Sequence, residues 1–282
     1  MMQDYSARQT LSVRVEMIRQ IRRRRTAVAF GIVIALPLVV MLAVQFGPSS
    51  SGRGGLADGD FDVFGLMAAG PWNFALSGLF FSSTFLLVIL AAMFFGDTVA
   101  SEASWSTMRY LLVAPVPRRR LLYVKVIVGL LLTLGVLITL VVASFLLGLF
   151  AFGSDTLASP LGGTLRAAES TTRLVVIAGY IAVTLLVPAG IAFLASVSTD
   201  VPLGAVGAAV VIVVVAGILD AIDALGPLRQ LLPTYYSGAW ADALGPVIVW
   251  DQMAIGLVYN LVLFVVLIAV AVLRFERKDI LS

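Results

Sequence analysis

The stretch Ala27-Val28-Ala29-Phe30-Gly31-Ile32-Val33-Ile34-Ala35-Leu36-Pro37-Leu38-Val39-Val40-Met41-Leu42-Ala43-Val44-Gln45-Phe46 runs for 20 residues without a charged side chain, directly behind the basic run Arg22 to Arg25. As a helix it is about 30 Å long, the thickness of the hydrocarbon core of a bilayer. Five further stretches read the same way: Asn73–Gly96, Leu122–Phe150, Leu174–Ser198, Pro202–Leu219 and Gln252–Leu273. The chain as a whole is 60% hydrophobic and only 12% charged, with a mean hydropathy of +1.04. A soluble domain carries about 25% charged residues. A chain this apolar cannot cover itself in water, so the sequence predicts an all-α membrane protein of six transmembrane helices, with no room for a soluble domain.

Charge sets the orientation. Fifteen basic residues fall at the N-terminus, in the second connection and at the C-terminus: Arg8, Arg14, Arg19, Arg22 to Arg25, Arg109, Arg118 to Arg120, Lys125, Arg274, Arg277 and Lys278. The opposite connections hold four: Arg53, Arg166, Arg173 and Arg229. The positive-inside rule puts both termini in the cytoplasm, and an even number of spans agrees. The first apolar stretch exceeds the h-region of a signal peptide, so no cleaved leader is expected. Within residues 6–25, Leu11, Val15 and Ile18 fall on one helical face among arginines, the pattern of an amphipathic helix lying on the inner membrane surface. A solvated basic tail that merely fixes topology is the simpler reading. The Arg22 to Arg25 run suits anionic lipid; no aromatic interleaving or binding fold points to nucleic acid.

The connections on the other side differ. Residues 47–72 are rich in Gly, Ser and Asp and read as an external loop. Residues 220–251 are too polar to span but hold Leu231, Leu232, Tyr235, Tyr236, Trp240 and Trp250, residues suited to an interface, either as short helices dipping into the outer leaflet or as an ordinary aromatic belt.

Chemistry is sparse. The chain has no Cys and no His, which removes disulfides, thiolate or imidazole metal sites, Ser-His and Cys-His nucleophile pairs and histidine switching. Residues 52–55 lack the spacing and the Lys-Ser/Thr of a phosphate-binding loop. Asp220 and Asp223 read as solvated caps, Asp97 as a boundary residue, and Lys125 as a side chain snorkelling from the inner end of the third span. The span middles hold no ionisable residue on which proton coupling could run. Ser82, Ser83 and Thr84 leave sodium coupling open, though packing hydroxyls are the commoner use. The chain is expected to be no enzyme and to bind no metal or cofactor itself.

The second connection carries more than topology requires. Residues 97–121 mix Asp97, Glu102, Trp105, Thr107, Arg109, Leu111, Leu112, Pro115, Val116, Pro117 and Arg118 to Arg120. Trp105, Leu111 and Leu112 make an apolar anchor, Glu102 and Arg109 can pair with each other or with a partner, and the prolines fix where the chain turns back. This order, with Lys125 following, resembles the characteristic segment of ABC-2 type transporter permeases; the family's Gly before Thr is Ser106 here. The N-terminal helix, the six spans, Leu232-Pro233-Thr234-Tyr235 before the last span and the end Phe275-Glu276-Arg277-Lys278-Asp279 fit the same layout.

The resemblance implies an ABC-2 (type V exporter-like) architecture and a permease subunit of an ATP-driven exporter in a bacterial plasma membrane. It implies pairing with a second permease copy, as a homodimer, and with two separate ATP-binding subunits that hold ATP and Mg2+. Segment 97–120 would be the coupling helix, with Asp97, Glu102, Trp105, Thr107, Arg109, Leu111, Leu112, Pro115 and Arg118 at the ATPase interface. Glu102→Ala or Arg118→Glu would then uncouple transport from hydrolysis. By the same analogy Phe80, Phe81, Thr84 and Phe85 border the substrate path, which would suit a hydrophobic or amphipathic cargo such as a drug, lipid or lipopeptide. The alternatives are a stand-alone secondary transporter, which calls for an ionisable or discontinuous helix at mid-depth that the sequence does not show, and a membrane scaffold that docks a cytoplasmic partner without transport.

The orientation is directly testable. A reporter enzyme active only outside the cytoplasm is expected to be inactive when fused after Ser282 and active when inserted after Gly54; activity at Ser282 would reverse the assignment.

Overall fold

The computed structural model describes residues 12–46, 67–104, 118–153, 157–158, 164–245 and 247–277. Nine α-helices account for most of them: α1 (Val13–Ile21), α2 (Arg24–Phe46), α3 (Pro71–Ser83), α4 (Leu86–Ser104), α5 (Arg118–Phe152), α6 (Ala167–Thr184), α7 (Leu186–Ser198), α8 (Pro202–Asp220) and α9 (Asp251–Arg277). A two-residue strand pair joins Leu157–Ala158 to Thr164–Leu165, antiparallel. Among the described residues, α2, α5, α6 with α7, α8 and α9 make five rods long and apolar enough to cross a membrane.

The second expected span is not one straight helix. α3 and α4 meet at Thr84–Phe85 at an angle of 56°. Counted as one broken span, the pair brings the total to six. The third span starts earlier than expected, at Arg118 instead of Leu122, and α4 continues beyond Gly96 to Ser104. The fourth starts at Ala167 and is divided at Leu185 into α6 and α7. Apolar content locates a span, but it carries no term for where the backbone ladder breaks.

Helices α4 and α7 hold the centre. α4 packs on α7 and α8, α7 on α9, and α3 and α2 on α5. The ring of Phe95 on α4 sits edge-on to Phe193 of α7 and Phe264 of α9, with centroids 6.2 and 6.4 Å away. Helices in lipid gain little from burying apolar surface against one another, so close backbone approach matters more. Gly96 supplies it between α4 and α8: a Cβ there would stand 2.8 Å from Val206 Cγ2 and 3.1 Å from its backbone nitrogen. The faces turned outward are apolar, as lipid requires, including Val211, Val214, Val215 and Ile218 of α8 and Val258, Val262 and Val265 of α9.

Residues 220–251 form short 3-10 turns, Asp223–Leu231 and Ala239–Leu244. The bundle holds them through their carbonyls. Buried Arg173 donates to Ala243 O and Gly245 O, both at 2.5 Å. Tyr180 donates to Tyr236 O at 2.6 Å, and Tyr259 to Leu231 O at 2.7 Å. Asp220 and Asp223, expected as solvated caps, both accept from Arg229, at 3.3 and 2.6 Å. Leu228, Leu231, Val247 and Trp250 stay exposed, which fits a segment resting at a membrane boundary.

Gly256 makes this closure possible. A Cβ there would collide with the Tyr180 hydroxyl and lie 2.9 Å from Tyr236 Cβ. Gly256→Ala is therefore expected to destabilise the fold by about 1–3 kcal/mol through overpacking, read as a lower midpoint of thermal unfolding in detergent. Unchanged stability would show that the Tyr180–Tyr236 link is not tightly held.

Candidate functional site: a buried ionic cluster at the basic end

The basic end of the bundle, where α1, the start of α5 and the end of α4 meet, is built from charges that composition alone would assign to solvent. Ser12 caps α1, its Oγ accepting from Val15 N at 3.3 Å. The helix stops at Arg22, and the Thr26 hydroxyl closes the turn into α2 by donating to Gln20 O at 2.7 Å. Two faces of α1 result. Val15, Ile18 and Ile21 point outward. Glu16 and Gln20, one turn apart, are buried. The outward apolar residues are those of the expected amphipathic helix; the polar residues that the same reading left to solvent are what hold the helix to the bundle.

The contacts form two sets side by side on α4, one around Glu102 and Lys125 and one around Asp97. Arg19 Nη2 donates to Glu16 Oε1 at 2.8 Å and to Glu102 Oε1 at 2.5 Å. Lys125 Nζ donates to Thr98 O at 2.6 Å, pairs with Glu102 Oε1 at 2.8 Å and lies 3.9 Å from Glu16 Oε1. Gln20 Nε2 donates to Glu16 at 3.1 Å. Asp97 takes Arg23 Nη1 at 2.5 Å and also pairs with Arg25. Lys125 is 1% exposed, Glu16 2%, Glu102 3% and Asp97 4%. Lys125 thus does not snorkel, and Asp97 is not a solvated boundary residue. Lys125 is enclosed between Glu102 of α4 and Glu16 of α1, and Asp97 between Arg23, in the turn after α1, and Arg25 of α2.

The local backbone of α4 takes part. Val99 N and Ala100 N donate to Ser196 Oγ of α7, at 3.1 and 3.0 Å. Ser101 Oγ donates to Asp97 O at 2.6 Å, and Thr98 Oγ1 to Phe95 O at 2.7 Å. A side chain reaching into a helical ladder is a recognised way to open it locally. Here it accompanies the Thr98 carbonyl that receives the Lys125 ammonium.

Burial by itself would raise the Glu16 carboxyl, but Lys125 and Arg19 outweigh it and hold the group below its ordinary value of 4.5, with Gln20 adding a hydrogen bond. A depressed carboxylate stabilises the fold above its unfolded pKa, and that contribution is lost as pH falls through the folded value. The docking of α1 by Glu16 is thus in full force at neutral pH and weakens below about 4.5.

Of the residues expected at a coupling interface, Asp97 and Glu102 are both buried inside the chain, Glu102 facing α1 and α5 and Asp97 facing the turn after α1 and the start of α2. Arg118 begins α5. Trp105, Thr107, Arg109, Leu111, Leu112 and Pro115 lie outside the described residues. The four residues expected along a substrate path, Phe80, Phe81, Thr84 and Phe85, all surround the α3/α4 break and are exposed. Phe80 stacks edge-on against Phe81 and against Trp240 of the 3-10 segment, at 5.1 and 5.8 Å. Among the described residues no group of three or more His, Cys, Asp or Glu could hold a metal ion. Glu16 is the member that the sequence reading missed. Its signal was available: it is the one acidic residue in 6–25, and Glu16, Arg19, Gln20 and Arg23 follow one helical face.

Removing one partner from a buried pair costs about 3–5 kcal/mol, because the other charge is left uncompensated. Lys125→Met is accordingly expected to lower the unfolding midpoint in detergent by roughly 10 °C. The double variant Lys125→Met with Glu102→Gln is expected to recover a large part of that loss. Strictly additive effects would mean that the two charges do not interact.

No curated protein matches this chain. A family model does match it over residues 60–281, a range that takes in Asp97, Glu102, Lys125 and all helices from α3 onward. The chain belongs to that family, described as a protein of unknown function (DUF2705).

Proposed function

We propose that the chain is the permease subunit of an ATP-driven exporter for a hydrophobic or amphipathic substrate, working with a second permease copy and two ATP-binding subunits in a bacterial plasma membrane, both termini cytoplasmic. The observation that carries the reading is the ionic cluster at the root of the segment that resembles the ABC-2 signature. Asp97 and Glu102 lie on the part of α4 that leads into residues 105–117; Glu102 is clamped to Arg19 of α1 and Lys125 of α5, and Asp97 to Arg23 and Arg25 at the start of α2. A push on that segment would be passed to three helices together, because their charges cannot separate without leaving a buried ion unpaired.

The exposed aromatics Phe80, Phe81 and Phe85 at the α3/α4 break offer an uncharged surface that suits an apolar cargo. The same break is the feature that favours a second reading, a stand-alone secondary transporter, since discontinuous helices at mid-depth are the usual construction of such sites.

One experiment separates the two. The tagged full chain, purified from its native membrane in mild detergent, is expected to bring down a stoichiometric soluble ATPase. Trp105→Ala, removing an apolar anchor, or Arg118→Glu, reversing a charge, is expected to weaken that capture roughly ten-fold or more while membrane insertion persists. Glu102→Ala is a poorer probe than the sequence suggested, because it also unpairs Lys125. Purification of the chain alone, from cells expressing its gene neighbours, would overturn the permease reading in favour of a protein that works by itself.

A further inference from the structure

At the same basic end, away from the ionic cluster, the last turns of α7 and α9 enclose a groove of about 550 Å³ lined by Val197, Ser198, Val270, Leu273, Arg274 and Arg277. Its α9 wall is one helical stripe, since residues 270, 273, 274 and 277 share a face. Along that stripe the chemistry changes from apolar to cationic over about 10 Å. Val270 and Leu273 are open to the surroundings, at 44% and 52% exposure, while Val197 is a buried floor. The Ser198 hydroxyl is occupied with Leu194 O at 2.7 Å. Among the described residues neither Arg274 nor Arg277 has a carboxylate partner; the nearby Glu276 pairs with Arg119 of α5.

We infer that this groove is a binding site for an anionic phospholipid, its phosphate held between the guanidinium groups of Arg274 and Arg277 and an acyl chain lying along Val270, Leu273 and Val197. The order of the lining residues matches the order of groups in the ligand. Guanidinium forks suit phosphate oxygens, and basic pockets between membrane helices suit acidic headgroups. A zwitterionic lipid would press its own cation against the two arginines. A free phosphate would use the arginines and leave the apolar wall without a role. Topology alone accounts for arginines at this end, but not for an apolar groove leading into them. The inference does not depend on the transport reading.

The test uses the full chain in a neutral detergent, with thermal unfolding followed in the presence of dioleoylphosphatidylglycerol, dioleoylphosphatidylcholine or inorganic phosphate at equal concentrations. The glycerol lipid is expected to raise the midpoint by several degrees, and the other two are not. Arg274→Gln with Arg277→Gln is expected to raise the lipid concentration needed by roughly ten-fold or more, and the double Lys variant, which keeps the charge but loses the fork, is expected to recover only part of that loss. Val270→Trp, which fills the apolar half and leaves both charges in place, is expected to give a comparable loss; if the Gln variant fails to insert, this one decides. An undiminished response in Val270→Trp, an equal response to choline lipid, or a shift reproduced by phosphate alone would overturn the proposal.

Discussion

An ammonium ion taken out of water costs several kcal/mol unless good pairing replaces its hydration, and Lys125 is taken out almost completely. Its replacement shell comes from three places: the Thr98 carbonyl and Glu102 of α4, and Glu16 of α1. None of these elements can leave without stranding a charge. The docking of α1, the course of the end of α4 and the position of the first turns of α5 are therefore parts of one electrostatic solution. Arg19 joins Glu16 to Glu102, and beside them Arg23 and Arg25 hold Asp97 in a second set.

The opposite end of the bundle is closed by a different device. There Arg173, Tyr180 and Tyr259 donate to backbone carbonyls of the 3-10 segment, which has too few internal hydrogen bonds to stand alone in an apolar setting. Between the two ends the packing is almost wholly apolar, centred on Phe95, Phe193 and Phe264, and close helix approach depends on small residues such as Gly96. Between the polar closures at the two ends, the sharpest bend described in the interior is the break at Thr84–Phe85. Phe80 links that break to Trp240, and so to the 3-10 segment beyond it.

Much of the fold was legible because lipid simplifies the code. A long uncharged stretch has one stable form in a bilayer, a helix, and arginine placement sorts the ends. The apolar face of α1 was readable from Val15 and Ile18. What Asp97 and Glu102 touch was not readable. Their partners Arg19, Arg23 and Arg25 lie more than 70 residues away in the chain, and no local period links them.

The sequence by itself therefore determined the membrane character, the positions of the apolar rods and the basic end of the bundle, since these follow from transfer free energies summed over neighbouring residues. Only the tertiary structure decided that Lys125 is buried and not snorkelling, that Glu16 faces inward, that the second apolar stretch breaks at Thr84–Phe85, and that Arg274 and Arg277 border a groove. Each of these depends on which groups from distant segments are near enough to replace water, and pairing energy between groups far apart in the chain leaves no trace in a local pattern.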